Sequence, residues 1–248
     1  MTLELVTDAS PEDPVLDIAL SHALLLEVAS GRRGPALRIY RPGATAAFGR
    51  LDALAPGFES ACAIAHARGF TPLVRSVGGH AALFGQSCVV LEHIVRERDA
   101  TSGLTARFED QSRRVRDALA SLGADARIGE LPGEYCAGPH SINAGGRIKV
   151  AGIGQRVVRH GAATSAVVVA GGGAALRAAL AAVYAALALD VDPAVAGALD
   201  EALPGVAVEQ VARALRQAYA ADHRLEPAEA GAGLLAAARA LVPRHRVR

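Results

Sequence analysis

One stretch of the sequence decides the fold, Gly145-Gly146-Arg147-Ile148-Lys149-Val150-Ala151-Gly152-Ile153-Gly154-Gln155. Its two leading glycines predict a tight hairpin turn, and the residues after them alternate as in a β-strand. The alternation predicts that Arg147, Lys149 and Ala151 share one face of this strand. Because the neighbours of Lys149 are small, a ligand could lie flat against the backbone. We therefore expect a strand that presents Lys149 to a ligand.

Lys149 is the single lysine among 26 basic residues, and all the others are arginines. A lysine that survives in such an arginine-rich chain indicates a role that the wide, permanently charged guanidinium does not fulfil. The ammonium group can neutralise a carboxylate or phosphate and can stabilise charge that develops at a carbonyl. The alternative is a solvated lysine on an edge strand, where arginine would serve equally well.

The composition is that of a folded, nearly neutral protein. The 248 residues are 51% hydrophobic and 21% charged, with a net charge of +1. We expect one large or two small domains and no nucleic-acid partner or membrane surface. The first residues do not resemble a signal peptide, and the alanine-rich residues 174–189 are too short to span a bilayer. Three cysteines without a CxxC motif predict no metal site and a cytoplasmic location.

The predicted elements give an α+β organisation. The pattern predicts interleaved strands and helices to about residue 170 and an almost entirely helical remainder. We expect a catalytic domain over residues 1–173 and a helical C-terminal extension over residues 174–248. Residues 10–13 predict the start of the first helix, with Ser10 as its cap and Pro11 in its first turn.

A glycine loop, Arg75-Ser76-Val77-Gly78-Gly79-His80-Ala81-Ala82, follows a predicted strand. Its glycines let the backbone approach a ligand and direct amide N–H groups at it. Arg75 offers a bidentate donor to a carboxylate or phosphate. Paired glycines also occur in ordinary tight turns, and this simpler interpretation stays open.

A third motif, Leu131-Pro132-Gly133-Glu134-Tyr135-Cys136-Ala137-Gly138-Pro139-His140, predicts an exposed loop. Cys62 and Cys88 lie in apolar runs that predict core positions, so Cys136 is the accessible thiol. A nearby His140 or Lys149 would favour the thiolate, which is the nucleophile in acyl transfer. An inert surface cysteine remains the alternative.

The order and separation of these motifs resemble the lipoate–protein ligase A family, which includes cysteine-dependent octanoyltransferases. Two further pieces fit its pattern, Arg38-Ile39-Tyr40 and Phe48-Gly49. The resemblance covers roughly residues 14–170, and the lysine run carries one extra residue, Ile148. The family implies an α+β fold of the biotin/lipoate ligase type. A central mixed or antiparallel sheet is flanked by helices, and the acyl chain lies in a tunnel over the sheet.

The resemblance also implies site residues. Lys149 would contact the acyl carbonyl or acyl-phosphate oxygen, and Cys136 lies close to where the octanoyltransferases keep their nucleophile. The implied substrate-binding residues are Arg75, Gly78, Gly79, His80, Ala81, Gly152 and Gln155.

The implied activity is attachment of an octanoyl or lipoyl group to a lysine of a lipoyl carrier domain, through a Cys136 thioester and without a cofactor. The implied partners are lipoyl domains of 2-oxoacid dehydrogenase complexes or glycine cleavage H protein, with acyl carrier protein as a further candidate donor. One alternative is an ATP- and Mg²⁺-dependent ligase that forms an acyl-adenylate. Another is a catalytically silent binder of lipoate, biotin or a lipoyl domain. His80 and Leu83-Phe84-Gly85 depart from the ligases' richer glycine loop and aromatic-His-Asp step, which favours the transferase.

Overall fold

A mixed sheet of eight strands organises the computed structural model, which describes residues 1–10 and 12–247. The strands are β1 (Thr2–Val6), β2 (Ala36–Tyr40), β3 (Thr45–Phe48), β4 (Thr71–Val74), β5 (Ala82–Phe84), β6 (Cys88–Arg96), β7 (Ala126–Ile128), β8 (Ile142–Ala144), β9 (Ile148–Val158), β10 (Gly161–Val169) and β11 (Arg224–Ala228). The large sheet has the order β11-β1-β2-β6-β10-β9-β8-β7, and a second sheet has three strands in the order β4-β3-β5.

The strand directions confirm the predicted mixed sheet. In the large sheet β1 runs parallel to β2 and β11, whereas β2, β6, β10, β9, β8 and β7 pair antiparallel in succession. The helices are α1 (Pro14–Ser30), α2 (Phe58–Ala67), α3 (Leu104–Ser121), α4 (Gly173–Ala186), α5 (Leu199–Ala202), α6 (Val208–Ala220) and α7 (Gly231–Leu241). Within the described residues, no helix has the length and apolar character needed to cross a membrane.

Helix α1 begins later than the sequence pattern predicts. The Asp13 side chain caps it by accepting a hydrogen bond from the Leu16 N–H, and Pro14 occupies the first turn. The predicted role of Pro11 lies outside the described residues. At the other end Gly31 adopts a left-handed conformation, with φ of 80°, and ends the helix.

The hairpin of β8 and β9 forms where the glycines predict it, but β9 does not alternate regularly. Gly145 and Gly146 both have positive φ in the turn. Asn143 then pairs with Lys149 and Ile142 with Ala151, so β9 carries an extra residue there, a β-bulge. The predicted shared face of Lys149 and Ala151 is therefore wrong. Ala151 packs into the core on one side of the sheet, and Lys149 lines a cavity on the other.

Residues after 173 are mostly helical, as predicted, but they also contain a strand that the pattern did not predict. Strand β11 pairs in parallel with β1 and forms the edge of the large sheet. The predicted boundary between residues 173 and 174 falls at the start of α4, and it stays a prediction. Leu180 and Tyr184 of α4 pack in the same core cluster as Phe48 and Val90. The candidate site is built beside this cluster.

Candidate active site

A cavity of about 100 Å³ lies on the face of the large sheet that carries Lys149. Its floor is a grid of paired strand residues from β6, β10 and β9: Val90, Val167 and Gly152 in one row, and Glu92, Ser165 and Gly154 in the next. Leu83 and Phe84 of β5 contribute apolar wall, and the Arg75–Gly78 segment lines another side. Gly152 and Gly154 carry no side chains, and this lets Val77 pack closely over Gly154, where a Cβ atom would lie 2.4 Å from Val77 Cγ1.

The row that contains Glu92 makes one part of the cavity polar. Ser21 and Ser165 both donate hydrogen bonds to the Glu92 carboxyl. Burial raises the pKa of this carboxyl, although the Arg38 guanidinium opposes the rise. This row includes Gly154, which lies further along β9 from Lys149 than Gly152 does. The polar part of the cavity is therefore further from Lys149 than the apolar row is.

Lys149 is the central contact of the loop that carries Cys136. Its side chain is 1% exposed, and its ammonium group donates to three acceptors: Glu134 Oε1 at 3.0 Å, the Tyr135 carbonyl at 2.8 Å and the Cys136 carbonyl at 3.0 Å. Glu134 is itself buried and also accepts hydrogen bonds from Ser141 Oγ and the Leu131 N–H. A contact between Lys149 and an acyl carbonyl would therefore require one of these bonds to be given up.

Cys136 has an unusual backbone conformation that its neighbours fix. Its φ is 44°, in the left-handed region that residues other than glycine seldom adopt. Its N–H donates to the Tyr184 hydroxyl at 2.8 Å, and that hydroxyl donates to the Ala81 carbonyl at 2.9 Å. Because the Cys136 carbonyl also accepts a hydrogen bond from Lys149, both backbone polar groups of Cys136 are hydrogen-bonded. Such an over-determined residue is typical of functional sites.

The Cys136 sulfur lies against the glycine loop. Arg75 Nη2 is 3.3 Å from the sulfur and also donates to the His80 carbonyl at 2.7 Å. The guanidinium thus places a permanent positive charge beside the thiol, and the thiolate is the nucleophilic form of cysteine. Gly79, which has a φ of 91°, lies so close to Cys136 that a Cβ atom at position 79 would be 2.6 Å from the sulfur.

We expect Gly79→Ala to be far more harmful than Gly78→Ala. An alanine at position 79 adopts a left-handed conformation and collides with Cys136, whereas a Cβ at Gly78 meets nothing within 4 Å. Gly79→Ala should lower the free energy of unfolding by at least about 1–2 kcal/mol, and Gly78→Ala by less than about 0.5 kcal/mol. Denaturant unfolding of both variants measures this, and equal effects would show that the loop does not pack as described.

His80 does not line the cavity but forms a pair with Asp52. Its Nδ1 lies 2.7 Å from Asp52 Oδ1, and Asp52 Oδ2 accepts the Gly49 N–H at 2.8 Å. Asp52 is buried, whereas the His80 side chain is 40% exposed. The space between the two loops is tight, since a Cβ at Gly49 would lie 1.8 Å from the Gly79 carbonyl oxygen.

The structure brings together most of the predicted site residues. Arg75, Gly78, Cys136, Lys149 and Gly152 line the cavity. Gly79 packs against the sulfur, and the Ala81 carbonyl is connected to Cys136 by hydrogen bonds through the Tyr184 hydroxyl.

Two residues from the predicted motifs lie elsewhere. Gln155 faces α3, where its Oε1 accepts a hydrogen bond from Arg107 Nε and its Nε2 donates one to the Leu104 carbonyl. The His140 ring stacks on Phe108 with a centroid separation of 5.0 Å. The charged side chain in contact with the Cys136 sulfur is therefore Arg75 and not His140.

A basic cavity that the sequence patterns did not predict shares Arg75 and Ser76 with the first. Arg50, Arg156 and Arg244 line it together with His22 and His245. Among the described residues, none of these arginines forms an ion pair with a carboxylate. Burial, followed by the positive charges nearby, lowers the pKa of His22 to about 4. Because His245 and Arg244 come from the end of the chain, no local spacing could reveal this cluster.

The site thus combines an apolar cavity, a strained cysteine beside a guanidinium and an adjoining basic cavity. Comparison with solved structures shows which fold this is. Lipoate-protein ligase A bound with ATP superposes with a TM-score of 0.74 at 18% identity, covering 98% of this chain and 95% of that one. The bi-partite lipoate protein ligase of Thermoplasma acidophilum superposes with a TM-score of 0.74 at 17% identity, covering 98% and 93%. The chain has the lipoate-ligase fold.

The family follows from the sequence comparison. Residues 13–220 match the model of the lipoyl protein ligase A/B catalytic domain, and the chain belongs to this family. Two relatives are named octanoyl-[GcvH]:protein N-octanoyltransferase. The one from Geobacillus kaustophilus is 30% identical over 179 residues, which are 71% of this chain and 63% of the relative. The one from Exiguobacterium sibiricum is 30% identical over 174 residues, which are 69% and 61%. The chain thus spans less than two thirds of the length of either relative.

Proposed function

We propose that this protein transfers an octanoyl or lipoyl group to a lysine of a lipoyl carrier domain through a thioester on Cys136. The observation that carries the proposal is the fixed Cys136 sulfur at the cavity, 3.3 Å from Arg75 Nη2. The apolar floor formed by Val90 and Val167 suits an alkyl chain. The names of the relatives support octanoyl transfer from octanoyl-[GcvH] to a protein.

The proposed reaction has two half-reactions. The Cys136 thiolate attacks the acyl carbonyl of the donor, forms the C–S bond and releases the donor's leaving group. A lysine amine of the acceptor then attacks the thioester, forms the amide and releases the thiolate beside Arg75. The guanidinium stabilises the sulfur anion at both stages. Lys149 acts as a positioning residue, because it holds the Cys136 and Tyr135 carbonyls.

The proposed partners are a GcvH-type carrier and the lipoyl domains of 2-oxoacid dehydrogenase complexes. The basic cavity beside Arg75 suits an anionic group, such as the phosphate of a phosphopantetheine arm on an acyl carrier protein. The same cavity also suits an adenylate phosphate, which the ATP-dependent ligation route would bring. The described cysteines are unpaired, which fits the proposed cytoplasmic location.

A donor comparison tests the proposal. The protein is incubated with an apo lipoyl domain and one of three donors: octanoylated GcvH, octanoyl acyl carrier protein, or lipoate with ATP and Mg²⁺. We expect the intact mass of the lipoyl domain to rise by one acyl group with a carrier donor and no ATP. A rise only with ATP would favour the ligase, and no rise under any condition would favour the silent binder.

A further inference from the structure

The second half-reaction needs a group that accepts a proton, and Lys149 does not suit this role. When the acceptor's lysine attacks the thioester, its nitrogen must lose a proton before the amide is stable. Lys149 is 1% exposed, its ammonium is paired with buried Glu134, and its three hydrogen-bond acceptors are all protein atoms. Its deprotonation would leave the Glu134 carboxylate buried without its counter-charge, which is costly.

The other titratable side chains near the sulfur are already engaged in contacts with other protein groups. Tyr184 is fully engaged between the Cys136 N–H and the Ala81 carbonyl, and burial raises its pKa. Glu134 is buried in its ion pair. His140 stacks on Phe108 and forms no hydrogen bond with Cys136 among the described contacts.

His80 has the features that a base for an incoming protein amine requires. Because the Asp52 carboxylate accepts a hydrogen bond from Nδ1, the proton of the neutral ring is on Nδ1 and the lone pair is on Nε2. Nε2 forms no hydrogen bond within the described part of the chain, and the side chain is 40% exposed. A carrier lysine arrives from solvent, so its base must lie on the solvent side of the thioester.

The chain path places the backbone of this histidine beside the nucleophile. His80 directly follows Gly79, the residue at which a Cβ atom would lie 2.6 Å from the Cys136 sulfur. One atom, Arg75 Nη2, contacts both the His80 carbonyl oxygen and the sulfur. Asp52 holds both the ring and the Gly49 N–H, so it fixes the position of the loop that carries the base.

We propose that His80, oriented by Asp52, is the general base that takes the proton from the acceptor's lysine amine as it attacks the Cys136 thioester. The nitrogen–carbonyl bond forms, the carbon–sulfur bond breaks, the proton moves to His80 Nε2 and the thiolate leaves beside Arg75. With an amide donor such as octanoyl-GcvH, the first half-reaction is the reverse of this step. Protonated His80 then returns the proton to the departing lysine amine. This inference rests on the proposed function.

The test measures the two half-reactions separately in His80→Gln. Octanoyl acyl carrier protein supplies a thioester donor, whose thiolate leaving group needs no proton. We expect octanoylation of Cys136 from this donor to stay within about tenfold of the wild-type rate, and transfer from Cys136 to a lipoyl-domain lysine to fall by about 10²–10⁴-fold. Asp52→Asn should impair transfer in the same direction. Intact mass of both proteins over time reports each step.

Two controls separate chemistry from a structural defect. Hydroxylamine, a small nucleophile, should release the octanoyl group from wild-type and His80→Gln acyl-enzyme at similar rates. His140→Gln should transfer as the wild type does. Wild-type transfer by His80→Gln, or an equal loss in both half-reactions, would overturn the role of His80. Failure of the wild-type protein to form the thioester would instead overturn the proposed function, and this inference with it.

Discussion

Replacing Lys149 with methionine should lower the free energy of unfolding by about 3–5 kcal/mol, the cost of leaving a buried partner charge unpaired. Glu134 would then lie buried with no cation, and the Tyr135 and Cys136 carbonyls would lose their shared donor. Because the Lys149 bond helps to hold Cys136 at φ of 44°, the loop should also relax. Denaturant-induced unfolding of the wild type and the variant measures the loss.

The double variant Lys149→Met/Glu134→Gln provides the matched comparison. Removing both charges leaves no uncompensated ion, so the double variant should be more stable than Lys149→Met alone. Lys149→Arg should also destabilise, because a planar guanidinium does not fit three acceptors arranged within 3.0 Å of one nitrogen. A Lys149→Met protein as stable as the wild type would show that the pair does not hold the loop.

Replacing Cys136 with alanine should reduce octanoyl transfer by at least about 10³-fold, as expected when the nucleophile of a covalent mechanism is removed. The other two thiols cannot substitute. Both are buried, and burial raises the pKa of Cys62 and of Cys88 to about 11, so they stay protonated at neutral pH. The acceptor's mass gain over time measures transfer.

Cys62→Ala is the control for the loss of a thiol as such. It removes a buried sulfur from α2 and should leave the transfer rate near that of the wild type. Cys136→Ala should keep its fold, since its two backbone hydrogen bonds do not involve the side chain. Transfer by Cys136→Ala at the wild-type rate would rule out the thioester route.

The sequence predicted the elements that local patterns encode. The Gly145-Gly146 hairpin and the core positions of Cys62 and Cys88 follow from turn chemistry and hydrophobic periodicity. The lone lysine drew attention to position 149 because composition alone made it exceptional. These features depend on residues close to one another in the chain.

The rest depends on pairing between distant segments. The bulge that turns Lys149 and Ala151 to opposite faces arises from the register with β8, which alternation within β9 does not reveal. Strand β11 is short and forms only because it pairs with β1, more than 200 residues earlier. The partners of Lys149 were likewise hidden, because Glu134 gives no local sign that it is buried. The Asp52–His80 pair also joins two loops that only the folded sheet brings together.

The most direct test of the covalent route is to incubate the wild-type protein with octanoyl acyl carrier protein and no acceptor, and then measure its intact mass and map the modified peptide. We predict one octanoyl group on Cys136, released by hydroxylamine and absent from Cys136→Ala. Acyl transfer to an added lipoyl domain without any octanoyl group on Cys136 would contradict the mechanism.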